Sequence, residues 1–205
     1  MKHMIGGVIF MATLCNFAAA QAVETARRSI TRHQVTVQLG AEFTRKVTDP
    51  SGITYKPTSA GTGLVGYRFN INRWLGVEGD YDFFRNSQKF IIADSTTSLK
   101  TNVNVASGSV VINLPNPITK RFKSYAMVGG GAMIFNPSGT DFTALQTRNV
   151  IVFGGGADFP ITRHLAIRGQ AKTYLYKAPD FTFSNLRTTK YVQTMVPSVG
   201  LVFNF

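Results

Sequence analysis

Apolar and polar residues alternate along most of this chain. From Gln34 to Phe43 the alternation is unbroken, with Val35, Val37, Leu39, Ala41 and Phe43 on one side and Gln34, Thr36, Gln38, Gly40 and Glu42 on the other. A period of two marks a strand with one apolar face. The pattern returns in GTGLVGYRFNI, where Val65, Tyr67, Phe69 and Ile71 oppose Gly66, Arg68 and Asn70. It returns again in WLGVEGDYDFF, where Leu75, Val77, Gly79, Tyr81 and Phe83 oppose Gly76, Glu78, Asp80 and Asp82. A weaker strand runs from about Asn102 to Leu114, its register blurred by Ser107, Gly108 and Ser109. FKSYAMVGGGAMIF, NVIVFGGGADF and LAIRGQAKTYLY follow. The final strand, YVQTMVPSVGLVFNF, ends with Val199, Leu201, Phe203 and Phe205 alternating with Ser198, Gly200, Val202 and Asn204.

These segments predict eight strands of about ten residues, a length that crosses a bilayer when tilted. Their connections alternate in length. Long polar loops are expected at 44–60, from Arg85 to about Thr101, from Asn136 to about Thr147, and from Lys177 to Lys190. Short turns fall at NINR, near LPNP and at PITRH. No helical period interrupts the series. Short turns at one rim and long loops at the other are the layout of an all-β, eight-stranded, antiparallel, up-and-down transmembrane barrel. Closure would pair the last strand with the first and leave no bare edge. Exposed aromatics would then face lipid, with Phe203 and Phe205 in an aromatic girdle at the periplasmic rim alongside Trp74 and Phe159. A water-soluble barrel of lipocalin type is the alternative, with its apolar face turned inward. The alternation does not choose between the two; the narrowness of an eight-stranded lumen and the terminal phenylalanine favour the membrane form.

Composition narrows the setting. Only 16% of residues are charged, and Phe occurs 16 times and Gly 19 times in 205 residues. The first residues read as an export signal: Lys2 and His3, then the apolar run MIGGVIFMATL, then AAAQA with small residues for cleavage after Ala20 or Ala22. Residues 1–20 are therefore expected to be a cleaved signal peptide, 21–33 a short periplasmic leader and 34–205 the barrel. The single cysteine, Cys15, lies in the signal and follows Leu14, not the small residue that a lipoprotein signal requires. The mature chain should carry no disulfide, which suits the bacterial envelope. The net charge of +12 would often point to nucleic acid. An exported chain seldom meets it, and lipid headgroup phosphates or anionic polysaccharide are the better match.

The export signal, SYAMVGGGAMI (124–134), VFGGGADFPITRHLAIRGQ (152–170) and the terminal GLVFNF together resemble the small eight-stranded outer-membrane β-barrel family that includes the outer membrane protein A barrel and opacity-type proteins. The likeness covers about residues 34–205. It implies a bacterial outer-membrane location. It also implies that the last strand, with its final Phe, is read by the outer-membrane assembly machinery. It describes architecture well and activity poorly.

With the apolar side of each strand assigned to lipid, Glu42, Arg68, Glu78, Asp80, Asp82, Asp158, Arg168 and Lys172 point into the lumen. An eight-stranded barrel is only wide enough for side chains to fill it. These charges must therefore pair with one another or with trapped water. The expectation is a plugged lumen; a narrow passive pore for ions or small solutes is the alternative. The basic excess then falls on the outer loops: Arg45, Lys46 and Lys56 against Asp49, Arg85, Lys89 and Lys100 against Asp94, and Lys177, Arg187 and Lys190 against Asp180. Placed beside lipopolysaccharide phosphates, such groups would gain charge-assisted contacts.

Catalytic chemistry finds little purchase. A lipid A-modifying barrel enzyme needs a nucleophile or base at the outer rim. His3 leaves with the signal, and His33 and His164 fall at the periplasmic rim. The glycine triplets at 129–131 and 154–156 precede no helix, so they are read as sites of close strand approach rather than phosphate cradles. No metal ligand set and no cofactor are expected. The chain reads as a structural or surface-interaction barrel without enzyme activity.

Overall fold

The computed structural model describes residues 32–48, 52, 54–92, 95–115, 122–138, 145–179 and 190–205. The proposed signal peptide and nearly all of the leader lie outside these residues, as do Asp49, Asp94, Asp180 and Arg187. The described chain is all strand. Eight long strands make the barrel: β1 (His33–Thr44), β4 (Ala60–Asn70), β5 (Leu75–Ile92), β6 (Ser95–Asn113), β7 (Lys123–Pro137), β8 (Gln146–Pro160), β9 (Leu165–Lys177) and β10 (Tyr191–Asn204). Two short strands, β2 (Val47–Thr48) and β3 (Thr54–Tyr55), lie in the first outer connection.

Each barrel strand pairs with its sequence neighbour in antiparallel fashion, and β1 pairs with β10 to close the ring. The seam runs from Gln34 opposite Asn204 to Thr44 opposite Thr194. Its pairing lapses at Ala41 and Glu42, opposite Pro197 and Val196, where Pro197 has no N–H to donate. At the rim of short turns the terminal residues are tied down, with the N–H of Phe205 donating to the His33 carbonyl at 2.9 Å and that of Asn204 to the His164 carbonyl at 2.8 Å.

The pleat sorts the side chains. On β1, Leu39 is 72% exposed and Gln38 only 2%. Val65, Tyr67, Val77, Tyr81, Phe83, Ile151, Val199 and Leu201 also face outward. Polar residues fill the inner face of β1, β4, β5 and β9 between the rims. On β6, β7 and β8 the simple assignment of one apolar face to lipid does not hold. Val103, Val105 and Val111, Met127, Met133 and Phe135, and Val150 and Val152 are all buried inside, while Val110, Ile112, Val128 and Ile151 lie outside. These strands are apolar on both faces because a barrel this narrow has a packed interior.

The outer connections are more ordered than the sequence predicts. The stretch expected as a loop from Arg85 to about Thr101 is a continuation of β5 and β6, paired from Leu75 with Ile112 out to Ile92 with Ser95. Phe90 is buried on the hairpin's inner face, and β3 adds a third strand to it by pairing Thr54 with Ile91 and Tyr55 with Phe90. The described part of the first outer connection thus joins this sheet through β3 and adds Tyr55 to the buried inner face.

Residues of the glycine triplets sit where strands approach closely. A Cβ on Gly131 would lie 2.1 Å from the Ala106 carbonyl oxygen, and one on Gly129 would lie 2.0 Å from that of Gly108. By contrast, a Cβ on Gly79 would meet open space. Gly131→Val should lower several-fold the fraction of protein that runs as a compact, heat-modifiable species on a cold detergent gel, whereas Gly79→Ala should leave it unchanged. Equal behaviour of the two variants would contradict the close-approach account.

Candidate functional site: the charged lumen

The strand pleat brings all eight inward-pointing charged residues proposed from the sequence to the buried inner face. Glu42 comes from β1, Arg68 from β4, Glu78, Asp80 and Asp82 from β5, Asp158 from β8, and Arg168 and Lys172 from β9. They form two ion clusters and leave one acid apart.

The lower cluster lies toward the rim of short turns and centres on Arg168, which has 0% exposure. Its Nε donates to Asp158 Oδ1 at 2.6 Å and its Nη2 to Asp158 Oδ2 at 2.8 Å, a two-point fork. The remaining donors reach Gln34 Oε1 at 3.1 Å, Thr36 Oγ1 at 3.2 Å and Glu78 Oε2 at 3.3 Å. A guanidinium has five N–H donors, and each one here has an acceptor. Arg68 Nε donates to the same Glu78 Oε2, so one carboxylate oxygen joins the two arginines.

Tyr125 of β7 stands between the guanidinium groups, its ring centroid 3.9 Å from Arg68 Cζ and 5.0 Å from Arg168 Cζ. Its hydroxyl donates to Gln170 Oε1 at 2.6 Å. A buried cation over a ring face gains on the order of 2 kcal/mol. Gly156, directly opposite Tyr125 on the neighbouring strand β8, leaves room for this ring, since a Cβ there would lie 2.7 Å from the Tyr125 hydroxyl.

The middle cluster is Lys172 with Asp80 Oδ2 at 2.9 Å and Asp82 Oδ1 at 3.7 Å. Tyr174 donates its hydroxyl proton to the other oxygen of Asp82. Ser107 and Ser109 share this inner face, opposite Asp80 and Glu78 in the β5–β6 register. Neither hydroxyl has a hydrogen-bond partner within the protein among the described residues. Glu42 stands apart. It accepts from the Thr44 hydroxyl and from Asn86 Nδ2 at 3.2 Å, and among the described residues no cation pairs with it.

Above these clusters the lumen becomes apolar. Phe84, Val103, Val105, Met133, Phe135, Val150, Tyr174, Tyr176 and Val192 form one buried group with Tyr55 and Phe90. Tyr55 and Phe90 lie 5.2 Å apart between centroids, and the Tyr55 hydroxyl donates to Gln88 Oε1. Arg148 shares the inner face of β8 near this level, opposite Met133 on β7.

Sequence reasoning missed Tyr125, Arg148 and the apolar upper half. The signal for Tyr125 was parity: it lies an even number of residues from Gly129, Gly131 and Met133. Parity carries no sign, however, on a strand apolar to both sides.

At the short-turn rim, Phe159, Phe203 and Phe205 face outward and Phe122 stacks near Phe159 at 5.6 Å. Trp74 closes the turn between β4 and β5, its carbonyl accepting from Asn113 N–H at 2.8 Å. His33 and His164 are exposed at this same rim, where His33 Nδ1 lies 2.7 Å from the Tyr67 hydroxyl. Among the described residues no group of three or more metal-ligating side chains occurs.

A family model for the outer membrane protein β-barrel domain matches residues 8–205. The chain belongs to that family. Neisserial surface protein A is a structural neighbour at TM-score 0.60 and 12% identity, covering 86% of this chain and 98% of its own. OprG from Pseudomonas aeruginosa follows at TM-score 0.58 and 11% identity, covering 86% and 99%. Ail of Yersinia pestis, in complex with the heparin analogue sucrose octasulfate, matches at TM-score 0.51 and 14% identity, covering 85% and 99%. At these identities the likeness is one of fold. No curated protein matches the chain. The family makes this an outer-membrane barrel, and the rim of short turns is then the periplasmic one.

Because Arg168 satisfies five donors at once, its removal strands Asp158 in a dry site. Arg168→Met should cost about 3–5 kcal/mol in urea unfolding from lipid vesicles. Arg168→Lys should recover little, because an ammonium cannot reproduce the fork. Pairing Arg168→Met with Asp158→Asn should regain part of the loss. A full rescue by lysine would show that charge, not geometry, holds the cluster.

Proposed function

We propose that this outer-membrane barrel is non-conducting and non-enzymatic, serving envelope structure and surface contact, with its basic outer loops among lipopolysaccharide. The observation that carries this reading is the filling of the lumen. Lys172 and the two arginines are each ion-paired in the lower part, and aromatic and branched side chains fill the upper part. An ion entering from the periplasmic side would have to leave a paired polar layer for an apolar one, at a desolvation cost that nothing above repays.

Support for surface contact comes from charge placement. Among the described residues every acid is buried in the lumen, whereas Arg45, Lys46, Lys56, Arg85 and Lys100 are exposed on the outer side. Lipopolysaccharide phosphates are the anions that this surface meets first, and charge-assisted contacts to them would anchor the loops. Adhesion to an acidic surface polymer is the weaker version of the same idea. Lipid A chemistry is disfavoured by the placement of His33 and His164 at the opposite rim from the outer leaflet.

A passive pore is the second reading, and one observation favours it. The buried polar level around Asp80, Ser107 and Ser109 would serve as a polar chamber if the upper layer parted. Planar-bilayer recording separates the two. The wild-type protein should show no steady unitary conductance, and the double variant Tyr55→Ala/Phe90→Ala should open far more often. Steady wild-type openings that vanish in Asp80→Ala would overturn the closed-barrel reading.

A further inference from the structure

On β5 the outward face runs through Val77, Tyr81 and Phe83 and then through Arg85, Ser87, Lys89 and Ile91. The β5–β6 register places Arg85 opposite Asn102, Ser87 opposite Lys100, and Lys89 opposite Ser98. At the other edge of β5 the chain continues the β3 pairing. Lys56 N–H donates to the Lys89 carbonyl at 2.8 Å, and Thr58 N–H to the Ser87 carbonyl at 2.9 Å. Tyr55 and Phe90 are a buried pair on the inner face. One residue further along each strand, Lys56 and Lys89 are therefore directly opposed on the outer face.

Directly opposed residues have Cβ atoms about 4.5–5.5 Å apart, diagonal ones about 7–8 Å. Lys56 thus faces Lys89, Lys100 lies one diagonal step away on β6, and Arg85 lies one step lower toward the membrane. Like charges placed opposite one another destabilise a sheet. No ion pair among the described residues reaches any of the four, and no described acid shares their face. Hydroxyl and amide groups lie between them. Ser87, Ser98 and Asn102 occupy the facing positions, and Thr58 Oγ1 accepts from Ser87 N–H at 2.9 Å while keeping its own O–H to donate. Backbone hydrogen bonds from Lys56 and Thr58 to β5 and the β5–β6 pairing hold these cations at fixed positions.

We propose that the outer face of this three-stranded sheet is a phosphate-binding site, with Lys56, Lys89, Lys100 and Arg85 as its cations, and that its occupant is the phosphate-bearing headgroup of lipopolysaccharide in the adjoining outer leaflet. The height of Arg85, directly above Phe83, puts the lowest cation at the headgroup level and the lysines above it. Phosphate oxygens would relieve the Lys56–Lys89 repulsion and accept from the hydroxyls between them. This inference rests on the proposed lipopolysaccharide contact and names the residues through which it acts.

The test uses the full-length folded barrel in nanodiscs, with binding to lipopolysaccharide, to the same lipopolysaccharide stripped of phosphate, and to inorganic phosphate measured separately. The triple variant Lys56→Gln/Lys89→Gln/Lys100→Gln should lose at least tenfold in affinity for intact lipopolysaccharide. The control Lys123→Gln/Arg163→Gln, two exposed cations at the opposite, short-turn rim, should change it less than twofold. Stripped lipopolysaccharide should bind wild type as weakly as intact lipopolysaccharide binds the triple variant. Heat-modifiability of every variant on a cold gel shows that each is folded. Strong wild-type binding that the triple variant retains would overturn this site while leaving the wider reading in place. Absence of any wild-type preference for lipopolysaccharide over neutral phospholipid would overturn both. Millimolar inorganic phosphate displacing lipopolysaccharide completely would show a site for the free anion and overturn the lipid assignment.

Discussion

Backbone hydrogen bonding in a medium without water is the constraint on which this structure depends. A strand edge inside a bilayer leaves several kcal/mol of unsatisfied donors and acceptors for each bare group. Pairing β1 with β10 removes the last such edge. Once the ring is closed with eight strands, its width is set, and with it the fate of every inward residue. The glycines at 129 and 131 follow from the same closure, because neighbouring strands come too near for a Cβ at those points. Even the one lapse in the seam, beside Pro197, has a local cause in a residue without an N–H.

Closure also explains the division of the interior. Charged residues cannot be left alone in so narrow a space, so they appear as forks and bridges around Arg168, Glu78 and Lys172. Where the strands pass beyond the charged layers, the cheaper filling is apolar, and aromatic rings take over up to the mouth. The first outer connection completes that layer by laying Tyr55 against Phe90. The outer surface above the membrane obeys a different rule: water and lipid headgroups are near, and unpaired cations are tolerated there. Among the described residues the acids are all buried in the lumen while Arg45, Lys46, Lys56, Arg85 and Lys100 are exposed outside, and that contrast supports the reading of a closed barrel that touches its surroundings through its outer face.

Strand alternation made most of this legible in advance. In the membrane-level parts of β1 and β5 polar and apolar residues separate cleanly, and the inward set could be written down by parity. In β6, β7 and β8 both faces are apolar, so parity had no sign, and the inward Tyr125, Met133 and Val150 could not be told from their lipid-facing neighbours. The extension of β5 and β6 beyond the membrane was hidden for another reason. Arg85, Asn86, Ser87 and Gln88 are polar on both faces once lipid is left behind, and they read as loop. Yet Asn86 and Gln88 are buried on the inner face under Tyr55. The opposition of Lys56 to Lys89 depends on pairing between segments more than thirty residues apart, which no local pattern contains.

The central claim is that one face of each strand meets lipid and the other the closed lumen. Spin labels placed singly along β1, at Val37, Gln38, Leu39 and Gly40, in the protein reconstituted in bilayers, test it most directly. Collision with dissolved oxygen, which concentrates in the hydrocarbon, should be high at 37 and 39 and low at 38 and 40. If the even positions show the high oxygen accessibility, or if all four respond alike to a water-soluble relaxer, the two faces are exchanged or the barrel is not embedded, and the lumen described here is a solvent surface.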